Sequence, residues 1–228
     1  MSRLATAMPS GSSGPTGTTR TGRSPPRSIT NKRRNAAMSD DARQRSPWDQ
    51  GSLPENVRAG VGTAIIGDLA FKRFYAKLPE ALVIGEGCTM ELVHFDVGPK
   101  GRMVVGNYCY FTNAVLLCED RVEIGNYVVI GWNTTIADSD FHPIEPAKRM
   151  ADAIACSPLG KGQPRPPIAT QPVIIEDNVW IGPQVTILKG VRIGHGAWIE
   201  PGSVITRDVP PMSRMMGNPA RLMGPVSA

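Results

Sequence analysis

The 228-residue sequence has no apolar run close to the roughly 20 residues that a membrane-spanning helix needs. Its four cysteines include no CxxC pair, so neither a disulfide framework nor a zinc-binding cysteine cluster is indicated. This cysteine usage favours a reducing compartment, and we expect a cytoplasmic protein. The three histidines, His94, His142 and His195, are far apart in the chain with no HxxxxH spacing, and we expect no metal site.

The first 50 residues have almost no large apolar side chains and are rich in Ser, Thr, Gly, Pro and Arg. Such a segment cannot bury enough surface to offset its conformational entropy, so we predict a disordered basic tail over residues 1–50. No apolar stretch follows the first basic residues, and a secretory signal is therefore not indicated. Residues 1–45 hold nine Lys/Arg against two Asp, a charge of +7, whereas the whole chain carries +5. The rest of the chain therefore carries a net charge of −2.

The basic cluster Lys32-Arg33-Arg34 is the tail feature that suggests a partner. Clusters of this kind bind nucleic acid or anionic membranes. We interpret the tail instead as a solvated segment, or as an over-extended start that precedes Met38 as the initiator. We therefore expect no nucleic-acid or membrane partner, and contact of the tail with an anionic partner stays an open alternative.

The stretch from Ile175 to Val209 repeats every six residues. The first position of each hexad is isoleucine, at Ile175, Ile181, Ile187, Ile193, Ile199 and Ile205. The fifth position is small or β-branched, at Val179, Val185, Val191, Ala197, Ser203 and Val209. A helix repeats near 3.6 residues and a strand alternates at 2, so a six-residue period fits neither alone. It predicts short strands separated by tight corners and stacked coil on coil, which is an all-β, hexapeptide-repeat parallel β-helix.

Weaker hexads begin near Asn56, so we predict a β-helix domain over residues 51–210. An amphipathic cap helix over residues 64–77 is the alternative at its start, and we favour a coil there. The period fails between residues 139 and 172, which predicts a long inserted loop, and loops of this length are usually functional or disordered. Residues 211–228 follow Val209 without a period, and we expect an irregular C-terminal tail.

Four motifs stand out from the repeats: Phe111-Thr112-Asn113 with Glu119-Asp120, His142-Pro143 with Arg149, PVIIEDNVWIG at 172–182, and PGSVITRDVPP with GNPAR at 201–221. Together they resemble motifs of the hexapeptide-repeat acyltransferases, especially the galactoside and maltose O-acetyltransferase branch. The resemblance covers about residues 105–224. It implies a left-handed β-helix, whereas the general rule for parallel crossovers predicts the right-handed form. It also implies a homotrimer with active sites between neighbouring prisms and acetyl-CoA as the acyl donor.

The resemblance makes His142 the catalytic base in a ternary complex without an acyl-enzyme. Imidazole suits this role because it titrates near neutral pH. Asp138 or Asp140 is predicted to hold the imidazole in one tautomer, with turn caps or solvated carboxylates as the alternative. Asn113 matches the family asparagine that lies beside the acceptor, where it donates to developing negative charge.

The same resemblance assigns binding residues for both substrates. Asp120 resembles the acceptor-binding carboxylate, and Arg149 belongs to the motif that begins at His142. The segment from Asn113 to Ile124 is two residues shorter than in the sugar enzymes. The positions that match coenzyme A contacts are Pro183, Pro201, Thr206, Arg207 and Arg221. Trp180, an outward residue beside the expected groove, is predicted to line the thioester or to cover a subunit interface.

The predicted function is therefore transfer of an acyl group to a hydroxyl of a sugar or similar small acceptor. N-acetylation of an amino sugar or an antibiotic is the alternative within the family. A metal lyase resembling the γ-class carbonic anhydrases is an alternative from another class, and it would need three histidines that converge on zinc. A β-helix that serves only as a scaffold is the third, and the motifs at His142 and Arg221 argue against it.

Overall fold

The computed structural model describes residues 46–226, and the remainder of the predicted tail, with its basic cluster, lies outside them. Eleven strands precede the insertion: β1 (Val57–Ala59), β2 (Ala64–Ile66), β3 (Leu82–Ile84), β4 (Thr89–Glu91), β5 (His94–Val97), β6 (Arg102–Val105), β7 (Tyr110–Thr112), β8 (Val115–Cys118), β9 (Arg121–Ile124), β10 (Val129–Ile130) and β11 (Thr135–Ala137). Eight follow it: β12 (Val173–Ile175), β13 (Trp180–Ile181), β14 (Thr186–Ile187), β15 (Arg192–Ile193), β16 (Trp198–Ile199), β17 (Val204–Ile205), β18 (Ser213–Gly217) and β19 (Ala220–Pro225).

These strands build three sheets, one on each face of a prism. The first sheet has the order β1-β3-β6-β9-β12-β15, and the second has the order β2-β4-β7-β10-β13-β16-β18-β19. The third has the order β5-β8-β11-β14-β17. All neighbours are parallel except β18 and β19, and from β3 to β17 successive strands belong to the first, second and third sheets in turn. This is the coil-on-coil arrangement that the hexads predict, and the parallel β-helix is confirmed.

The core of the prism is the stack of hexad isoleucines. All six are at most 1% exposed, and they pair between coils as Ile175 with Ile193, Ile181 with Ile199, and Ile187 with Ile205. Each fully buried aliphatic side chain contributes about 1.5–3 kcal/mol relative to an exposed one. Because every coil buries its inward face on its neighbours, the stability of the domain comes from stacking.

The corners between strands explain the polar part of the repeat. Tyr108, Tyr127 and Asn178 follow one another at equivalent corners with φ between +55° and +59°. Such left-handed backbone suits Asn and Gly best, and Asn113, Asn133 and Gly190 adopt it at other corners between strands. One corner also carries a side-chain ladder, in which Asp177 Oδ1 accepts from the Asn126 N–H at 2.8 Å, and Asn126 Oδ1 accepts from the Asn107 N–H at 2.9 Å.

The ends of the domain differ from the sequence prediction. Trp48, placed in the predicted tail, donates from Nε1 to the Gly67 carbonyl at 2.9 Å, and its ring packs edge-on against Phe71 at 5.0 Å. The prediction of an irregular C-terminal tail was wrong, because β18 and β19 form an antiparallel hairpin there that extends the second sheet. A hexad count cannot detect it, because an antiparallel hairpin reverses direction and leaves the period. The alternative cap helix over residues 64–77 is also wrong, since that stretch holds β2 followed by turns.

The inserted segment leaves the prism after β11 and returns at β12. It contains the helix α1 (Pro146–Cys156) and a 3-10 turn at Pro158–Gly160. Proline at the first helical position and four alanines favour the helix. Two contacts pin the base of the segment: Ser139 bridges to Thr170, and the Asp140 N–H donates to the Ala169 carbonyl at 3.2 Å. Among residues 46–226, no helix is long and apolar enough to span a membrane.

Candidate active site

His142 lies at the start of the inserted segment and contacts a carboxylate from α1. Its Nδ1 is 2.5 Å from Oδ2 of Asp152, whose side chain is completely buried, whereas 57% of the imidazole surface is exposed. An ionised carboxylate only accepts hydrogen bonds, so Nδ1 carries the proton of this contact and Nε2 is left as the acceptor. The pair therefore presents a proton-accepting nitrogen on an exposed ring.

Arg165 holds the other side of the Asp152 carboxylate. Its Nε donates to Oδ1 at 2.6 Å, and its Nη2 donates to Oδ2 at 3.2 Å. The Arg165 guanidinium, followed by the His142 contact, keeps the pKa of Asp152 below its ordinary value despite burial, and Asp152 in turn raises the pKa of Arg165. Asp152 therefore stays ionised, which is the state in which it orients an imidazole.

Asp138 does not hold the imidazole, and that prediction was wrong. Its carboxylate is buried and accepts three backbone N–H groups, from Glu119 at 2.8 Å, Asp120 at 2.7 Å and Arg121 at 2.8 Å. Burial raises the pKa of Asp138, and the three donors oppose that rise. The turn at residues 119–121 belongs to the coil below, so Asp138 links two adjacent coils at the position where the insertion begins.

Asp140 was the other predicted partner of His142, and it also contacts a different group. Its Oδ1 lies 3.0 Å from Nζ of Lys189, which follows β14. Its buried Oδ2 has no hydrogen-bond partner among the described residues. Its link to His142 is through the backbone, where the His142 N–H donates to the Asp140 carbonyl at 2.6 Å. The residue thus shapes the turn that leads to His142.

Asn113 lies at a corner of the prism away from His142. Its backbone is left-handed, with φ of +46°, and its Nδ2 donates to Oδ1 of Asn133 at 2.8 Å. It precedes β8, whereas His142 follows the far end of the neighbouring strand β11. The two residues therefore lie at opposite edges of the third sheet. A four-residue strand spans about 13 Å, so one chain does not bring them together.

The predicted acceptor residues divide between a cavity and the insertion. Asp120 lines a cavity of about 670 Å³, whose other charged walls include Arg73, Lys100, Glu119 and Arg165. Burial raises the pKa of Glu119 there. Arg149, the second predicted acceptor residue, caps the loop that follows His142. Its Nη1 donates to the carbonyls of Ile144 at 2.7 Å and Pro143 at 3.4 Å.

The chain matches proteins of known type. The model of the family described as bacterial transferase hexapeptide (six repeats) matches residues 172–207. Nodulation protein L of Rhizobium meliloti is 36% identical over 162 residues, which cover 70% of this chain and 79% of that protein. The chain belongs to the hexapeptide-repeat acyltransferase family. The family predicted from the four motifs is confirmed.

Three further proteins are similar to this chain. Galactoside O-acetyltransferase of Lactococcus lactis is 33% identical over 138 residues, which cover 60% of this chain and 59% of that protein. The chain thus spans less than two thirds of that relative. A galactoside acetyltransferase structure in complex with coenzyme A is 26% identical with a TM-score of 0.51, covering 64% of this chain and 66% of that one. AntD, an N-acyltransferase from Bacillus cereus, has a TM-score of 0.54 at 17% identity over 75% of this chain and 84% of its own, and shares the fold.

The residues predicted from the family resemblance to contact coenzyme A include some at each of two opposite edges of the third sheet. Pro183 and Pro201 follow β13 and β16 at successive corners, on the edge where Asn113 lies. Trp180 is on β13 of the second sheet, where its ring stacks on that of Trp198 at 3.9 Å with an interplanar angle of 23°. These residues form an apolar strip beside the corner.

The remaining positions carried over from the family lie after β17 and in the hairpin. Thr206 lines a smaller cavity of about 340 Å³ together with Asp140 and Lys189, on the His142 edge. Arg207 is exposed next to it. Arg221, in β19, donates from Nη1 to the carbonyls of its own turn, at 3.3 Å to Pro219 and 3.0 Å to Ala220.

The other two histidines of this family member lie elsewhere. His94 is in β5, and His195 is exposed at a corner where its backbone N–H donates to Oε2 of Glu176 at 2.7 Å. Over residues 46–226, no three His, Cys, Asp or Glu side chains are grouped to hold a metal ion.

Sequence reasoning missed Asp152 and Arg165. Asp152 is the buried residue of α1, and Arg165 lies in the proline-rich return of the insertion. One signal was present, because Asp152 stands among alanines and an isoleucine in a segment that can form a helix after Pro146. The two residues are ten positions apart in a segment without a repeat, so the sequence does not predict that Asp152 contacts His142.

Proposed function

We propose that this protein is an acetyl-CoA-dependent acyltransferase that acylates a hydroxyl of a sugar or similar small acceptor. The observation that carries the proposal is the contact between His142 Nδ1 and the buried carboxylate of Asp152. It leaves Nε2 as an exposed proton acceptor, which is what attack by a hydroxyl on a thioester needs.

The proposed role of His142 is to move one proton. As the acceptor oxygen attacks the thioester carbon, Nε2 takes the hydroxyl proton. When the carbon–sulfur bond breaks, the imidazolium returns that proton to the sulfur of coenzyme A. Asp152 holds the ring in the productive tautomer and stabilises the positive charge during this interval, as carboxylates do in other histidine-based sites.

The choice of donor and acceptor rests on the relatives. The Lactococcus lactis relative is named a galactoside O-acetyltransferase, and the structure at 26% identity is a galactoside acetyltransferase with coenzyme A. Thr206 and Arg207 lie on the His142 edge, where an arginine side chain suits a phosphate of the donor. The mixed charges of the 670 Å³ cavity suit hydroxyl groups, which both donate and accept hydrogen bonds.

The proposed assembly is a homotrimer whose copies complete one another's sites. Its support is the position of Asn113 and His142 at opposite edges of the third sheet. If the corner of one copy lies against the insertion of the next, Asn113 reaches the reacting carbonyl beside the neighbour's His142. An asparagine amide there donates to the negative charge that develops on the carbonyl oxygen.

The test is a screen that measures release of the coenzyme A thiol from acetyl-CoA in the presence of sugars, amino sugars and aminoglycoside antibiotics. We expect the highest kcat/KM with a hydroxyl acceptor and a product that alkaline hydroxylamine cleaves, as it does an ester. A product that resists hydroxylamine is an amide and would assign the chain to N-acylation. If none of the acceptors raised thiol release above the rate in buffer, the proposal would be contradicted.

A further inference from the structure

Arg165 makes hydrogen bonds on both sides of the catalytic pair. Its Nε and Nη2 donate to the two oxygens of Asp152, at 2.6 Å and 3.2 Å. The same Nη2 donates to the Phe141 carbonyl at 3.1 Å. Phe141 immediately precedes His142, so one guanidinium contacts both the carboxylate that faces the imidazole and the backbone that carries it.

The Asp152 carboxylate depends on this guanidinium because it is buried. Oδ2 accepts from His142 and Arg165, and Oδ1 accepts from Arg165. The exposed Cys156 thiol is the other titratable group beside it, with Sγ 4.0 Å from Oδ1. Removal of Arg165 would leave His142 as the only nitrogen donor to Asp152 among the described residues. This is unfavourable because a buried carboxylate without a cationic partner is costly.

The backbone on each side of Arg165 favours a fixed position. Pro164 precedes it, and Pro166 and Pro167 follow it, which restricts this stretch to extended backbone. Phe141 has φ of +63°, a left-handed conformation that a phenylalanine adopts only when its surroundings hold it. The hydrogen bond from Arg165 to its carbonyl is one such constraint.

We propose that Arg165 is a positioning residue, which aims Asp152 at Nδ1 of His142 and fixes the turn from which the imidazole projects. The inference rests on the proposed role of His142 as the base. Arg165 acts through Asp152 and Phe141, and its bidentate geometry is what a lysine cannot reproduce.

The test compares Arg165→Ala and Arg165→Lys with wild type, using the best acceptor from the screen. Arg192→Ala is the matched control, because Arg192 pairs with Glu176 on the first sheet, outside the insertion. We expect kcat of Arg165→Ala to fall about 10- to 100-fold, as for residues that orient a reacting group from behind, with little change in the KM for acetyl-CoA. Arg165→Lys should lie between Arg165→Ala and wild type, and Arg192→Ala should match wild type.

Two readouts separate positioning from a merely structural role. Without the guanidinium, the Asp152–His142 pair holds its shared proton more tightly, so the acidic limb of the rate profile should move to higher pH. Glu119, which also faces Arg165, lies on the opposite side toward the cavity. Added guanidinium ion should restore part of kcat to Arg165→Ala, and should not restore it to Asp152→Asn.

The outcomes decide the inference in each case. A wild-type kcat and pH profile in Arg165→Ala would overturn it, and so would a lost kcat with an unshifted profile and no rescue by guanidinium. If Arg165→Ala does not fold, kcat and the pH profile of Arg165→Lys decide the matter. If His142→Ala is inactive and Arg165→Ala is unaffected, only the role of Arg165 is refuted. If His142→Ala is active, the role of His142 as the base is refuted.

Discussion

Asp152 Oδ2 lies 2.5 Å from His142 Nδ1, and the two residues are ten positions apart in the same inserted segment. Neither belongs to a hexad. The β-helix supplies the rigid frame, and the segment that interrupts it supplies the two groups to which we assign proton transfer. This division explains how one fold can host different reactions, since the chemistry changes with the insertion while the coils stay the same.

Replacement of Asp152 by asparagine should reduce catalysis without unfolding the prism. Asparagine keeps the size of the side chain but can present an N–H to Nδ1, which favours the wrong imidazole tautomer. We expect kcat to fall by about 10²- to 10⁴-fold, as at other carboxylate–histidine pairs. Steady-state kinetics of Asp152→Asn beside Asp68→Asn, an exposed carboxylate in the turn after β2, checks this. An unchanged kcat would contradict the role given to Asp152.

Replacement of Asp138 by alanine should destabilise the domain. It leaves three backbone N–H groups of residues 119–121 without their acceptor in a partly buried turn. Loss of charged hydrogen bonds of this kind costs about 3 kcal/mol or more in the free energy of unfolding. Denaturant titration measures it, and Asp208→Ala, which removes one exposed acceptor of a single N–H, should cost well under half as much. Equal losses in the two variants would show that Asp138 has no special role.

The stability of the insertion should depend on acid pH through Asp152. The pKa of Asp152 is lowered in the folded chain by Arg165 and His142, so its contribution is present above the ordinary carboxyl pKa of about 4. It is lost as pH falls through the folded-state pKa. The melting temperature of wild type should therefore exceed that of Asp152→Asn at neutral pH, and the difference should shrink below about pH 4. A difference that stays constant down to pH 3 would refute this assignment.

Two inactive variants should restore each other's activity if neighbouring copies share a site. In the proposed homotrimer, Asn113→Ala and His142→Ala should each disable every site when all three copies carry the same substitution. Co-expressed with different affinity tags and purified through both, they should form mixed trimers in which some sites keep both residues. We expect activity to return in the mixed preparation, with light scattering used to confirm three chains. Mixed trimers that stay inactive would show that Asn113 and His142 of neighbouring copies do not share a site.

Sequence reasoning predicts the prism well and the insertion poorly, for a physical reason. Ile181 and Ile199 occupy the same place on successive coils, so a period in the sequence is also a period in space. The insertion has no such period, and its contacts depend on how α1 and the Arg165 stretch fold back. Asp138 looked like the partner of His142 because it is near in sequence, yet its carboxylate faces the coil below.

The most direct test of the account is the turnover of His142→Ala with the best acceptor. The variant should lose about 10²- to 10⁴-fold in kcat, the usual contribution of a positioned general base. Imidazole added to the reaction should restore part of that loss only when acceptor is present, and His195→Ala, the exposed corner histidine, should behave as wild type. A wild-type kcat in His142→Ala would contradict the central claim.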